Sequence, residues 1–414
     1  AYGIDFWDAL WVSLGLPVGA SFFITGLISL SLTGLMLWRL GGVVMVAAFF
    51  FSGGVALTFD AISSFGPSSN LAWKNLFLSV FLTQRGFLFA LPAGLYLVRK
   101  WWRVCELERS SPGFSFYWIW AVLPFFHLHT FAILSLWFLL TFLFHRRAWF
   151  GFVLAAPLAA FFVLRSFGTG TVSTAVGLEF FWSLKTLDAW VLNFSSWLIV
   201  PLALTYFWVR RRAWMPLVSM WLLTAFVLSV RLAPWSWDQI KVLLWVYLLW
   251  TAWFINETSW RRRGAWALAI VLFWPGFLQW VSGLPSRTGR YEVQSLADRE
   301  QVKFLIQDLR PDETVAASVD HRHPLLGLGQ SLVLGFPPHA WSHGLPSEER
   351  KKKLDEILSG RPDGERFAQE LGVKWIVWKD NFTLQQSSAA FEAWTKWGWI
   401  ETRRSGPWHL WRVK

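Results

Sequence analysis

The chain has 414 residues, of which 55% are hydrophobic and 15% charged, with a mean hydropathy of +0.40, which excludes a soluble domain of this length. Lysine and arginine outnumber aspartate and glutamate, 38 to 26, for a net charge of +12; the basic residues nevertheless fall in short clusters at the ends of apolar runs, a pattern of membrane-helix orientation that excludes nucleic acid as the partner. The single Cys105 excludes an internal disulfide, and 33 tryptophans with 38 phenylalanines predict a belt of amphipathic rings at the lipid headgroup level.

The chain opens on AYGIDFWDALW, with no initiator Met and no basic leader, so it is expected to begin partway through a longer architecture. Apolar runs of about 17 to 25 residues, the length that crosses a bilayer as a helix, then fall at 17–38, 42–59, 77–98, 148–165, 189–209, 214–232, 240–257 and 265–283. The stretch 113–144 is too long for one comfortable span and too short for two, and Pro124 interrupts it. It predicts a short entering helix, a break around Pro124 to His127, and a full helix returning to His145.

Charge then sets the topology. Arg39, the group Arg99, Lys100 and Arg103, the pair Arg146 and Arg147, the triplet Arg210 to Arg212 and the triplet Arg261 to Arg263 are predicted to be cytoplasmic. Residues 1–16, 60–76, the Pro124 break, 166–188, 233–239 and everything after 285 then lie on the outer side. The expected organisation is an all-α polytopic membrane domain over 1–285 and a small extracytoplasmic α/β domain over 286–414, in a bacterial inner membrane.

From Pro285 onward charges become frequent. TVAASV, 314–319, and VKWIVW, 373–378, predict strands; PSEERKKKLDEILSG, 346–360, and ERFAQELG, 365–372, predict helices closed by glycine; WIETRRS with WHLWRV predicts a hairpin.

Polar residues inside apolar runs are the candidate functional groups, because an ionisable side chain in a span is costly unless paired or hydrated. Arg85 interrupts LFLSVFLTQRGFLFALP with no acid within a helical turn, and is expected in a polar cavity shared with Asp238 or Lys241. Asp238 and Lys241, in PWSWDQIKVLLW, read equally as a helix-start ion pair and as part of a site. His127 and His129, in VLPFFHLHTFAILSLW, lie two positions apart and diverge on a regular helix. A metal pair, a contact to a phosphate or lipid headgroup, and structural hydrogen bonding all remain open for them. One is expected to line an outward cavity with Arg85, the other to hold the broken backbone.

The motifs LTQRGFLFALP, LPFFHLHTF, PWSWDQIK, HRHPLLGLGQSLVLGFPPHAWSHG, ERKKKLDEIL and LGVKWIVWKD, in that order, resemble integral-membrane proteins placed among the GT-C glycosyltransferases. The resemblance implies a multi-span enzyme that takes a sugar from a polyprenyl-phosphate carrier at the outer face, with a soluble domain after the last span. It implies that Arg85, His127, His129, Asp238 and Lys241 bind the donor phosphate. His321, His323 and His343 would cap the site or, equally, brace a loop. The cofactor is either none or a divalent cation, and the partners are membrane lipids and the polyprenyl-phosphate sugar. The chain departs from the pattern at Gln239, where Asn is usual after Trp237 and Asp238, and at Gln330, where Arg is usual after Gly329. The family's key acid sits in a first outer loop upstream of Ala1; Asp5, Asp8 and Asp60 are the nearest outer acids, with Asp60 a weak candidate for catalysis. The alternative reading is a catalytically silent subunit among other membrane proteins.

Overall fold

The computed structural model describes residues 2–53, 75–81, 84–107, 111–142, 149–167, 177–178, 194–232, 240–258, 263–283, 295–320, 323–337, 340, 347–380 and 384–414. It divides into two compact units, Ala1–Gly289 and Arg290–Lys414. The first is helical; the second carries a small mixed sheet.

The helical unit runs α1 (Tyr2–Ser13), α2 (Val18–Phe50), a π-turn at Phe77–Phe81, α3 (Phe87–Leu107), α4 (Phe114–Phe126), α5 (Leu128–Phe142), α6 (Trp149–Phe167), α7 (Ile199–Arg211), α8 (Trp214–Ser229), α9 (Ile240–Glu257) and α10 (Arg263–Gly283). Two strands of two residues each, β1 (Gly177–Leu178) and β2 (Val230–Arg231), pair antiparallel. α9 is the hub: from Val242 to Phe254 it is buried on every side, as a helix with no polar face must be. The outer helices instead expose large apolar residues, among them Phe23, Phe150, Leu164, Leu202 and Ile270. Of the described helices, α2 is long and apolar enough to cross a membrane, while 114–126, 128–141, 149–165, 214–229 and 265–278 are shorter apolar helices.

Two boundaries differ from the sequence reading. The expected spans 17–38 and 42–59 meet within α2, whose helical arms join at Gly41 and Gly42; Gly42 has φ 64°, open to a residue without Cβ. The run 77–98 is not one helix, because a turn at Gln84–Gly86 separates the π-turn from α3. The expected break between Pro124 and His127 falls at His127, with φ −158° and ψ 99°, and Pro124 itself lies inside α4. α4 and α5 fold back on each other there. Trp120 donates to Ser135 Oγ at 2.8 Å and the Phe116 and Phe138 rings lie 5.2 Å apart, pairs roughly equidistant from His127 along the chain.

The tryptophans do more than edge the surface. Trp101, Trp137, Trp208, Trp245 and Trp250 are among the most deeply buried side chains, which corrects the headgroup-belt expectation for these residues. In three of them the polar N–H is accommodated by a hydroxyl on a neighbouring helix: Trp101 donates to Thr141 at 2.7 Å, Trp245 to Thr130 at 2.9 Å, and Trp250 to Thr224 at 3.0 Å. Trp7 and Trp197 donate to Thr25 and Thr251 at 3.1 and 3.0 Å. The close fit around Trp245 explains Gly94, where a Cβ would lie 2.3 Å from the indole.

In the second unit α11 (Leu296–Leu305) begins at Ser295, whose Oγ accepts from the Asp298 N–H at 3.3 Å. β3 (Thr314–Ala317), α12 (Glu348–Leu358), α13 (Gly364–Glu370), β4 (Val373–Lys379), α14 (Leu384–Lys396), β5 (Ile400–Ser405) and β6 (Trp408–Arg412) follow. The sheet order is β3-β4-β6-β5, parallel between β3 and β4 and antiparallel elsewhere. The parallel pair needs a crossover, which α12 and α13 supply. Their apolar faces bury Leu354, Ile357 and Ala368 in a core with Trp394 and Trp411.

Candidate functional site

Arg85 sits in the turn between the π-turn and α3, not within a helix. The Gln84 N–H donates to Val80 O at 2.9 Å and the Leu88 N–H to Arg85 O at 3.0 Å, so the turn is anchored on both sides. Its guanidinium lies 4.1 Å from the centroid of the Phe22 ring and pairs with Asp8 and, at 3.4 Å, with Asp5. The three-residue spacing of Asp5 and Asp8 puts both on one face of α1.

The counter-ions thus come from α1, which the sequence reading did not anticipate; Asp238, with which Arg85 was expected to share a cavity, lies outside the described residues. The signal in the sequence was a ladder of hydroxyls four residues apart on α2. Ser21, Thr25, Ser29 and Thr33 are all buried. Ser21 donates to Asp8 Oδ1 at 2.7 Å and Thr25 to the same oxygen at 3.3 Å, while Ser29 donates to Leu88 O at the start of α3. The two carboxylates are thus unequal. Asp8 is buried, its side chain 7% exposed, whereas Asp5 and Arg85 keep 46% and 45% of theirs in the open.

His127 closes the α4–α5 hairpin. Its Nδ1 accepts from the Thr130 N–H at 3.2 Å, an N-cap for α5, and stands 2.9 Å from Thr130 Oγ1. Thr130 Oγ1 in turn accepts from Trp245 Nε1 at 2.9 Å. An Nδ1 that accepts leaves the ring hydrogen on Nε2, so His127 is the histidine that holds the broken backbone. Its ring lies 4.3 Å from that of Phe87, two residues beyond Arg85, and 5.5 Å from His129. The hairpin tip therefore brings His127 and His129 together, with the charge of Lys241 at the start of α9 within electrostatic reach.

Beside this cluster an apolar groove of about 300 Å³ runs between α3 and α4, lined by Phe89, Ala93, Trp118, Val122 and Phe126, among others. Phe89 and Phe126 form its near end. Their rings are 5.2 Å apart, and Phe89 is 5.5 Å from Trp7 of α1. α1 packs on that end at Gly3, where a Cβ would fall 2.5 Å from the Phe126 ring. The helix bearing both aspartates thereby packs against two residues of the groove lining.

In the second unit His323 is buried. Its Nδ1 accepts from the Leu325 N–H at 3.3 Å, capping a short 3-10 turn, and its ring packs edge-on against Trp408 at 5.3 Å. Burial pushes its pKa down to about 4. It braces a loop of this unit, which is the second of the two roles open to it from the sequence. Burial drives the carboxyl of neighbouring Asp298 upward, but donors from Lys379 at 2.7 Å and Trp408 at 2.8 Å outweigh that and hold it below its ordinary value. His321, His343 and Asp60 lie outside the described residues. No group of three or more His, Cys, Asp or Glu suited to a metal ion occurs among the described residues.

No protein-family model matches this chain, and no curated protein matches it.

Proposed function

We propose that this chain is a polytopic membrane glycosyltransferase of the GT-C kind, or the major part of one, that takes a sugar from a polyprenyl-phosphate donor at the outer face of the membrane. The observation that carries the reading is a half-exposed arginine paired with two carboxylates of α1, the helix that packs through Trp7 and Gly3 on Phe89 and Phe126 of an apolar groove. A lipid phosphate has that same division, an anionic head on a hydrocarbon tail. The apolar outer surfaces of α2, α6, α7 and α10 support a setting in lipid.

In this reading Arg85 receives the phosphate and Phe89, Trp118 and Phe126 receive the first part of the chain. Asp5, the open carboxylate, is the acceptor's base. The acceptor hydroxyl gives its proton to Asp5 while its oxygen bonds to the anomeric carbon; the bond from that carbon to the phosphate oxygen breaks, and the electron pair leaves on the phosphate. Arg85 neutralises the charge that develops there, with Lys241 and the two histidines as further donors.

The test is transfer in proteoliposomes from a panel of polyprenyl-phosphate sugars, read as release of polyprenyl phosphate. Asp5→Asn and Arg85→Gln are each expected to lower turnover by about a hundredfold or more; full turnover in both would overturn the reading. A silent structural subunit is the second reading, favoured by the fact that Asp5 and Asp8 already pair Arg85 without a ligand. Absence of transfer from every donor, with Arg85→Gln unfolding the chain, would select it.

A further inference from the structure

Arg85 pairs with one buried carboxylate and one exposed one. Asp8 is buried and accepts from Ser21, Thr25 and Arg85, and the Trp7 indole donates to Thr25 behind it. Removing the cation from such a carboxylate strands a buried charge. Asp5 reaches Arg85 Nη1 at 3.4 Å with both side chains nearly half exposed, longer than the roughly 2.7–2.9 Å of a well-made charge-assisted bond. An exposed pair of this kind is weak and readily exchanged.

Resting on the lipid-phosphate reading of the site, we propose that Asp5 is an exchangeable occupant of the phosphate position. The incoming phosphate takes Arg85 Nη1 from Asp5, while Asp8 keeps the other side of the guanidinium and holds its plane. A guanidinium suits this division because its donors form a rigid planar fork that two acceptors can share. The exchange is ordered by its geometry. With the site empty, Asp5 is engaged with Arg85; with the donor bound, its carboxylate is released beside the anomeric carbon. The base thus becomes available when there is a sugar to transfer. Asp8 is a positioning residue, acting through Arg85.

The exchange predicts an inversion that a purely structural ion pair does not. Binding of dodecyl phosphate and of inorganic phosphate is measured on the full chain in phosphatidylcholine nanodiscs, for the wild type, Asp5→Asn, Asp5→Ser and Arg85→Gln. Both Asp5 variants remove a competitor and are expected to bind dodecyl phosphate about two- to fivefold more tightly, the range an exposed ion pair carries. Turnover is lost in the same two proteins. Arg85→Gln is expected to bind roughly tenfold more weakly, as for loss of a hydrogen bond to a charged group. If Arg85→Gln weakens binding but neither Asp5 variant tightens it, the exchange is overturned and the lipid-phosphate reading stands. If Arg85→Gln binds like the wild type, the phosphate site itself falls, and the exchange with it. Tightening at Asp5 with no sugar transferred by the wild type upholds the exchange and removes the enzyme. Inorganic phosphate binding as well as dodecyl phosphate would remove the lipid as the anion's source.

Discussion

Thr130→Val is the sharpest probe of how the His127 hairpin is held. The change conserves volume and removes one oxygen, Oγ1, which accepts from Trp245 Nε1 and lies 2.9 Å from His127 Nδ1. His127 keeps the Thr130 N–H; the indole N–H keeps nothing, and both Thr130 and Trp245 are fully buried. A buried donor left without an acceptor costs about 1–3 kcal/mol, while polar pairs between membrane helices average about 0.6 and reach about 1.7 kcal/mol. The loss is therefore expected at about 1–2 kcal/mol. Trp245→Phe alone also opens space beside Gly94, so its single-variant cost is not the hydrogen bond. A double-mutant cycle separates the two. Unfolding equilibria of the full chain in mixed micelles, followed by far-ultraviolet circular dichroism, are expected to give a coupling of about 0.6–1.7 kcal/mol between positions 130 and 245. Thr130→Ser keeps the oxygen and should keep the coupling. A coupling below about 0.3 kcal/mol, the level of additivity between independent sites, refutes the network.

The second unit is expected to lose stability as pH falls. His323 has a folded-state pKa of about 4 against an ordinary 6.5, so its contribution is complete above 6.5 and fades toward 4, where the unfolded chain binds a proton that the folded one excludes. At about 1.4 kcal/mol per pH unit the whole window amounts to about 3 kcal/mol. Hydrogen exchange of residues 295–414 in the full chain should report it, and His323→Asn, which retains a capping acceptor, should flatten the dependence; an unchanged slope in the variant rules His323 out. For topology, Lys352 is exposed on α12, so Lys352→Cys in a Cys105→Ala background is expected to react with an impermeant maleimide from the outer side of spheroplasts. Labelling only after lysis reverses the orientation.

The parts of this fold that could be read from the chain are those with local causes. β-branched runs and glycines after helices outlined the second unit, where Gly360, Gly372 and Gly406 all take positive φ. α9 could be recognised as apolar on every face, but which helices enclose it depends on the other helices. The site was half visible for the same reason. Arg85 and His127 stood out because each is polar in an apolar run, yet the acid that holds Arg85 lies 77 positions away. A periodicity count of hydroxyls on α2 would have pointed to a buried polar seam; it would not have named α1 as the helix laid against it. The break at His127 lies within the expected interval from Pro124 to His127, and the proline near the end of α4 leaves only a short helical stretch before it.

The tryptophan–hydroxyl pairs also bear on how the helices find one another. Most of the receiving threonines donate their own proton to a carbonyl four residues back in the same helix: Thr141 to Trp137, Thr224 to Met220 and Thr251 to Tyr247, at 2.7–2.8 Å. A helix carrying such a threonine therefore has that hydroxyl hydrogen already satisfied and only oxygen lone pairs on offer to a neighbour, as an apolar setting requires. The indole N–H cannot be satisfied within its own helix in the same way, and it becomes the group that must search. Each helix pair thus carries an asymmetric address, a seeker on one side and a ready receiver on the other, separated along the chain by as few as 15 residues for Trp120 and Ser135 and as many as 115 for Trp245 and Thr130. Near matches can close as soon as the second helix appears, and the distant one must wait for α9.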